Sequence, residues 1–413
     1  MNISKRGFAV ITACFCTVFI SYAIRYSYGL LLPEMLLSLA ITKTEAGFIY
    51  SSYFIAYTIF SPLLGLLADR MDIHKVLTIF PIILGIGTFL MSYSYSVIGA
   101  SLFFALAGIG AAACWSPVVA LARRWVSEKR KGITLSLIDI GSSIGTAICG
   151  VAMPIVVAGY GWRMGWQALG VLAFLLVGIN FYLIRNYPSD KPVKQNPTFK
   201  TSEGDSNGIT YFKIFRNLRF WLIGISYLLM AFSIIIPFTF LSSYATQELR
   251  LSYGMAAKLI TIICFASIVS KVVLGNLSDI IGRVRLMVLC GVLMASGCLG
   301  IAYSRESLIL IVFAAVFGFG QGPIFALYGA SATDFFPGRF TGGIIGLWTL
   351  LFGIGSMLSP IFAGLTIDIK GTFSYSFLLA MTMAFISIIL LMPLMKGPSF
   401  LVNSADSMAT REV

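Results

Sequence analysis

Apolar residues gather along the chain into twelve blocks of about twenty or more, parted by short polar or glycine- and proline-containing turns. A helix that crosses a bilayer needs roughly 20 mostly apolar residues, because each adds about 1.5 Å across a hydrocarbon core about 30 Å thick. On that rule the pattern predicts spanning helices at 8–33, 46–67, 77–94, 98–122, 132–158 and 165–184. A second set follows at 218–242, 256–277, 286–304, 307–331, 342–366 and 372–395. None shows the two-residue alternation of a membrane barrel strand. The chain reads as an all-α membrane protein of twelve transmembrane helices.

The only long polar stretch lies between the sixth and seventh blocks and holds Pro188, Pro192, Pro197 and the run Ser-Glu-Gly-Asp-Ser-Asn-Gly at 202–208. Such a composition makes a linker. It predicts a first six-helix bundle at 1–185, a cytoplasmic linker at 186–217, a second bundle at 218–397 and a tail at 398–413. The halves also echo each other. Gly65 and Asp69 recur as Gly275 and Asp279, and Gly132 and Gly145 as Gly342 and Gly355, always 210 residues on. A duplicated six-helix unit, giving two pseudo-symmetric bundles, is the simplest account.

Composition agrees, with 58% hydrophobic and 11% charged residues and a mean hydropathy of +0.92. The net charge of +13 would suggest a polyanionic partner were it not for its placement. Of the 29 Lys and Arg, 21 fall in loops and tails on the side of the N-terminus, six on the other side, and two inside the membrane. The positive-inside rule then puts both termini in the cytoplasm and the protein in the cell (inner) membrane, and the basic excess reflects topology rather than nucleic-acid binding. The N-terminal apolar run is longer than a signal-peptide core, so it is expected to stay as the first helix. All seven cysteines lie in or at the edges of predicted spans, as small buried residues rather than disulfides or metal ligands. With no P-loop, one histidine (His74) and no triad pattern, the sequence points away from an enzyme, a metal site or a cofactor. A monomer is expected.

Three charges sit well inside the spans: Arg25, Asp139 and Lys271. A charge at that depth is costly by about 3 kcal/mol or more, so it faces a cavity or a partner. Arg25 stands among Tyr22, Tyr26 and Tyr28, and its planar fork suits a carboxylate or phosphate. Lys271 lies eight residues before Asp279, about 12 Å inward along a helix. Two buried cations predict a transporter for a small organic anion, with Arg25 and Lys271 holding its charge. The other reading of either residue is structural, as a snorkelling side chain or a permanent ion pair. Tyr26, Tyr53, Tyr57, Trp115, Asn276, Gln321 and Tyr328 are the neutral residues expected to line the cavity, and helix packing would explain them equally well.

The loop Gly65-Leu-Leu-Ala-Asp69-Arg70-Met-Asp-Ile-His-Lys75 and its partner Gly275-Asn-Leu-Ser-Asp279-Ile-Ile-Gly282-Arg283 resemble the signature of the major facilitator superfamily. Asp72, Ile73 and His74 depart from it, standing where glycine and basic residues are usual. The resemblance covers essentially the whole chain and implies two bundles that rock about a central site. It also implies that Asp69, Arg70, Asp279 and Arg283 act in gating. In the superfamily arrangement the fifth and eighth helices face each other, which would let Asp139 pair with Lys271 and couple proton movement to transport.

The run Arg123-Arg124-Trp125 to Lys131, followed by Asp139-Ile-Gly141-Ser142-Ser143-Ile-Gly145, resembles organic-anion facilitators. These include the monocarboxylate transporters, oxalate:formate exchangers and anion:cation symporters. The expected activity is secondary transport of a mono- or dicarboxylate, as proton symport or anion exchange. Ser267 stands where the monocarboxylate group commonly has an acid, and 342–366 lacks the basic residue of the oxalate exchangers. A drug:proton antiporter is the competing transporter class, and a non-transporting membrane sensor the competitor from another class.

Overall fold

The computed structural model describes residues 5–70, 72–126, 131–186, 211–337 and 340–396, and the side chains of Lys5, 65–70, Lys131, Tyr211, Phe212, Asp279 and Lys396 lie outside that description. Most of the expected linker and the expected tail at 398–413 also lie outside the described residues. The first half contains α1 (Lys5–Ser38), α2 (Lys43–Arg70), α3 (Ile73–Leu90), α4 (Val97–Ala112), α5 (Ser116–Trp125) and α6 (Lys131–Leu183). A short α7 (Tyr211–Phe215) leads to α8 (Leu218–Gln247), α9 (Tyr253–Ile281), α10 (Arg283–Tyr303), α11 (Ser307–Gln321), α12 (Ile324–Phe335), α13 (Thr341–Lys370) and α14 (Ser374–Leu391).

Among the described residues, eleven helical segments are long and apolar enough to cross a membrane. One of them, Gly132–Leu183, has 52 residues, about 78 Å of helix and more than twice a bilayer core. Its helical geometry breaks at Gly161 (φ 78°, ψ 171°), a backbone conformation that only glycine adopts without strain. Two crossings therefore share α6, and the total is the expected twelve. The fourth crossing is jointed between α4 and α5 and the tenth between α11 and α12, where Pro323 precedes α12. The outer surface is apolar, with Ile98 74%, Leu102 64%, Leu308 70% and Val312 52% exposed. Such a band is what lipid covers.

The duplication is visible in the packing. A Cβ on Gly108 would lie 2.3 Å from the Tyr53 carbonyl oxygen, and one on Gly318 2.3 Å from that of Ile263. Gly87 meets Ala107 as Gly297 meets Phe317, each against backbone nitrogen. Every position in these pairs has its counterpart 210 positions later, and the glycines themselves recur, so the same close helix approaches are built twice.

With twelve crossings, α1 begins and α14 ends on one face, termed here the terminal face. The halves meet tightly toward the opposite, far face. Gly29 in α1 sits against the Phe238 carbonyl of α8, Gly47 in α2 against that of Pro360 in α13, and Gly150 in α6 against Thr261 in α9. Tyr253 donates to the Leu30 carbonyl at 2.6 Å. In the last turn of α13, Asp368 accepts from the amides of Lys43 (3.2 Å) and Thr44 (2.8 Å) and from the Thr44 hydroxyl (2.6 Å). That carboxylate caps the start of α2 from across the molecule.

At the terminal face the departure from the loop signature has a structural use. Asp72 caps α3 by accepting from the His74 amide (2.9 Å) and takes the Asn186 amide at 2.6 Å, while His74 Nε2 meets the Phe181 carbonyl at 3.0 Å. The loop is thereby fastened to the end of α6. Slight burial would push the Asp72 carboxyl up, but the Asn186 amide and the backbone amides of His74 and Lys75 outweigh it and hold it below the usual range.

Candidate functional site

A cavity of about 80 Å³ lies between the halves, walled by α1, α2, α6, α8, α9, α13 and the α11–α12 joint. Of the described residues lining it, three are charged at neutral pH: Arg25, Asp139 and Lys271. Aromatic and aliphatic side chains, among them Tyr22, Phe54, Tyr57, Phe238, Phe325 and Phe352, form one part of the wall. Hydroxyls form another: Ser142, Ser143, Thr146 and Ser267.

Arg25 comes from α1 and is 4% exposed. Its guanidinium lies over two rings at once, with Tyr22 and Tyr57 centroids each 4.5 Å away, and Tyr53 and Phe54 at 5.3 and 5.7 Å. Tyr22 is one turn back on the same helix, and Tyr53, Phe54 and Tyr57 share one stripe of α2. Ring faces attract the cation but accept none of its in-plane N–H bonds. Nε is taken by the Tyr53 hydroxyl at 3.2 Å. No carboxylate pairs with Arg25 among the described residues, and both terminal nitrogens keep their donors.

Lys271 is placed differently. Its Nζ is 2.7 Å from Asp139 Oδ2, 3.2 Å from the Asp139 carbonyl and 3.3 Å from Ser142 Oγ. An ammonium has three donors, and all three are engaged on α6. The pair is partly shielded, at 14% and 24% side-chain exposure. Beside it Ser143 and Ser267 meet across α6 and α9 at 3.5 Å.

The other expected residues divide. Tyr26, Tyr57 and Gln321 line the cavity, and the Tyr26 ring also packs on Phe238 at 4.2 Å. Tyr53 is fully buried behind Arg25. Trp115 stands behind the wall at the α4–α5 joint, edge-on to Tyr22 and to Phe325, its counterpart 210 residues later. Asn276 is away from the cavity, five residues and so about 140° around α9 from Lys271, and donates to the Val272 carbonyl at 3.0 Å. Tyr328 is also elsewhere: buried, bonded to the Ser226 hydroxyl and stacked on Tyr227. Of the expected gating residues, the side chains of Asp69, Arg70 and Asp279 lie outside the described residues. Arg283 forms an ion pair with Asp334 and donates to the Ala330 carbonyl at 2.9 Å, tying α10 to the end of α12 within one half.

Sequence reading did not single out Tyr22, Phe54, Ser142, Ser143, Thr146 or Phe352 as site residues. For the three hydroxyl residues the signal was the helical spacing 139, 142, 143, 146, a polar stripe on an otherwise apolar span.

The family model described as Major Facilitator Superfamily matches residues 14–269 and 223–407. The hexuronate transporter of Bacillus subtilis (strain 168) is 21% identical over 394 residues, 91% of this chain and 92% of its own. Monocarboxylate transporter 12 of Xenopus laevis is 25% identical over 326 residues, 73% of this chain and 68% of its own. A mutant form of the nucleoside transporter NupG shares the fold with a TM-score of 0.79 at 15% identity, covering 94% of this chain and all of that one. A match over nearly the whole length, on a duplicated twelve-crossing fold, means that the chain belongs to the major facilitator superfamily.

Proposed function

We propose that this facilitator carries a small organic anion, a mono- or dicarboxylate, by alternating access, with its termini on the cytoplasmic side. The observation that carries the reading is Arg25: a buried arginine bordering the central cavity, whose two terminal nitrogens have no partner and which has no acid beside it among the described residues. A cation left in that state is stabilised when an anion arrives. Relatives named for hexuronate and for monocarboxylates support the same class of cargo. With Nε occupied by Tyr53, a carboxylate meets the fork end-on, across the two terminal nitrogens.

The Lys271–Asp139 pair bridges α9 and α6, hence the two halves. If Asp139 takes up a proton, the bridge loosens and the cycle runs as anion–proton symport; if the pair stays ionised, it runs as anion exchange. A cationic drug finds no unpaired acid among the described lining residues, which weighs against the antiporter reading.

The test is thermal stabilisation of the purified protein by monocarboxylates, dicarboxylates, sugar phosphates and lipophilic cations, with Arg25→Ala beside the wild type. The expected result is stabilisation by carboxylates in the wild type, lost in Arg25→Ala. Stabilisation by cations alone would transfer the protein to the efflux class.

A further inference from the structure

The two cations of the cavity are not equivalent, and their difference bears on substrate charge. Lys271 has its three donors on Asp139 Oδ2, the Asp139 carbonyl and Ser142 Oγ. Its charge is matched by a carboxylate 2.7 Å away. Arg25 has neither a matching acid nor partners for its terminal nitrogens among the described residues. The charged lining of Arg25, Lys271 and Asp139 therefore sums to one positive unit.

We propose that Asp139 is the specificity-determining residue for substrate valence: by occupying Lys271 it leaves one open cation and restricts the cavity to monoanions. The proposal rests on the reading of the cavity as an anion site and names the subclass it takes. A monocarboxylate on Arg25 neutralises the cavity. A dicarboxylate brings a second negative charge into a low-dielectric space where the remaining cation already has an acid, so that charge is repelled by Asp139 and finds no unspent donor on Lys271. Among the described lining residues there is no further cation to offer it. Removing the charge of Asp139 while keeping its shape frees Lys271 as a second anchor.

The experiment compares butyrate with succinate, and benzoate with phthalate, as stabilising ligands of the purified full-length protein, at a pH where both carboxyls of each diacid are ionised. Three proteins are used: the wild type, Asp139→Asn, and Asp139→Asn combined with Lys271→Gln. In the wild type the monoacid of each pair is the tighter ligand. In Asp139→Asn the diacid gains about tenfold or more relative to its monoacid, the value of one bond to a charged group. The double variant, whose charged lining again sums to one positive unit, returns to the wild-type order. It also separates a charge effect from damaged folding, because it keeps the same Asn. A diacid that binds the wild type as tightly as its monoacid, or an unchanged ratio in Asp139→Asn, overturns the proposal and leaves the anion reading standing. If none of the four acids stabilises any of the three proteins, the anion reading itself fails, and the proposal with it.

Discussion

Arg25 and Lys271 border the same cavity, yet one sits among rings and the other among carbonyl, hydroxyl and carboxylate oxygens. Aromatic faces hold a guanidinium in place without consuming its hydrogen bonds, so the group is positioned but unspent. Oxygen ligands do the opposite, fixing the ammonium by consuming them. Burial and charge alone would have ranked the two cations together. What separates them is the number of donors left: two terminal nitrogens of Arg25 lack partners among the described residues, while Lys271 spends its donors bracing two helices.

The largest expected effect comes from removing the braced cation. Lys271→Ala strands Asp139 inside the membrane domain and should destabilise the protein by up to about 3 kcal/mol, the lower range for a pair that is still partly exposed. Pairing it with Asp139→Leu should recover most of that loss. Thermal unfolding in detergent of the single and double variants measures it, and a single variant as stable as the wild type would erase the distinction between the cations. Arg25→Lys sharpens the comparison from the other side. It keeps the charge but loses the planar fork and its stacking between Tyr22 and Tyr57, so carboxylate affinity should fall by about tenfold or more with stability little changed. Titration calorimetry against the tightest-binding carboxylate reads this directly. Tyr53→Phe is the mildest. It frees Nε at a cost of about 1 kcal/mol in the empty protein, and part of that returns on binding, because a carboxylate can then meet Nε and a terminal nitrogen side-on. Affinity within about fivefold of wild type is expected, and a far larger drop would mean that Tyr53 does more than hold the fork.

The fold was legible because bilayer thickness imposes a length that apolar blocks report almost without tertiary information. The repeat was legible in part from glycines, and of those the close approaches at 145 and 355 tolerate no side chain. The charged residues were legible too, since a charge in a span is conspicuous, but their states were not. Arg25, Asp139 and Lys271 correspond by the 210-residue offset to Ile235, Thr349 and Ser61, so the chemistry departs from the duplicated scaffold and the repeat gives no guide to it. Whether Lys271 is open depends on where Asp139, 132 residues earlier, falls in the helix pairing. Asn276 and Tyr328 were chosen for polarity within a lining helix, and helical phase carried both away from the cavity. Tyr22 and Phe54 carried no signal of their own, because an aromatic in an apolar span looks the same against lipid, a neighbour or a ligand.

Asp368 has a consequence for how the two halves hold together. An acid in the last turn of its own helix opposes that helix's macrodipole, and only the start of α2, brought up from the other half, reverses the sign. Parting the halves there removes a cap from one helix and restores a repulsion in the other, each worth under about 1 kcal/mol at so exposed a position. Contact between the halves on that side is thus favoured by both helices at once. The seam between the halves is held in part by a carboxylate that lies outside the cavity lining.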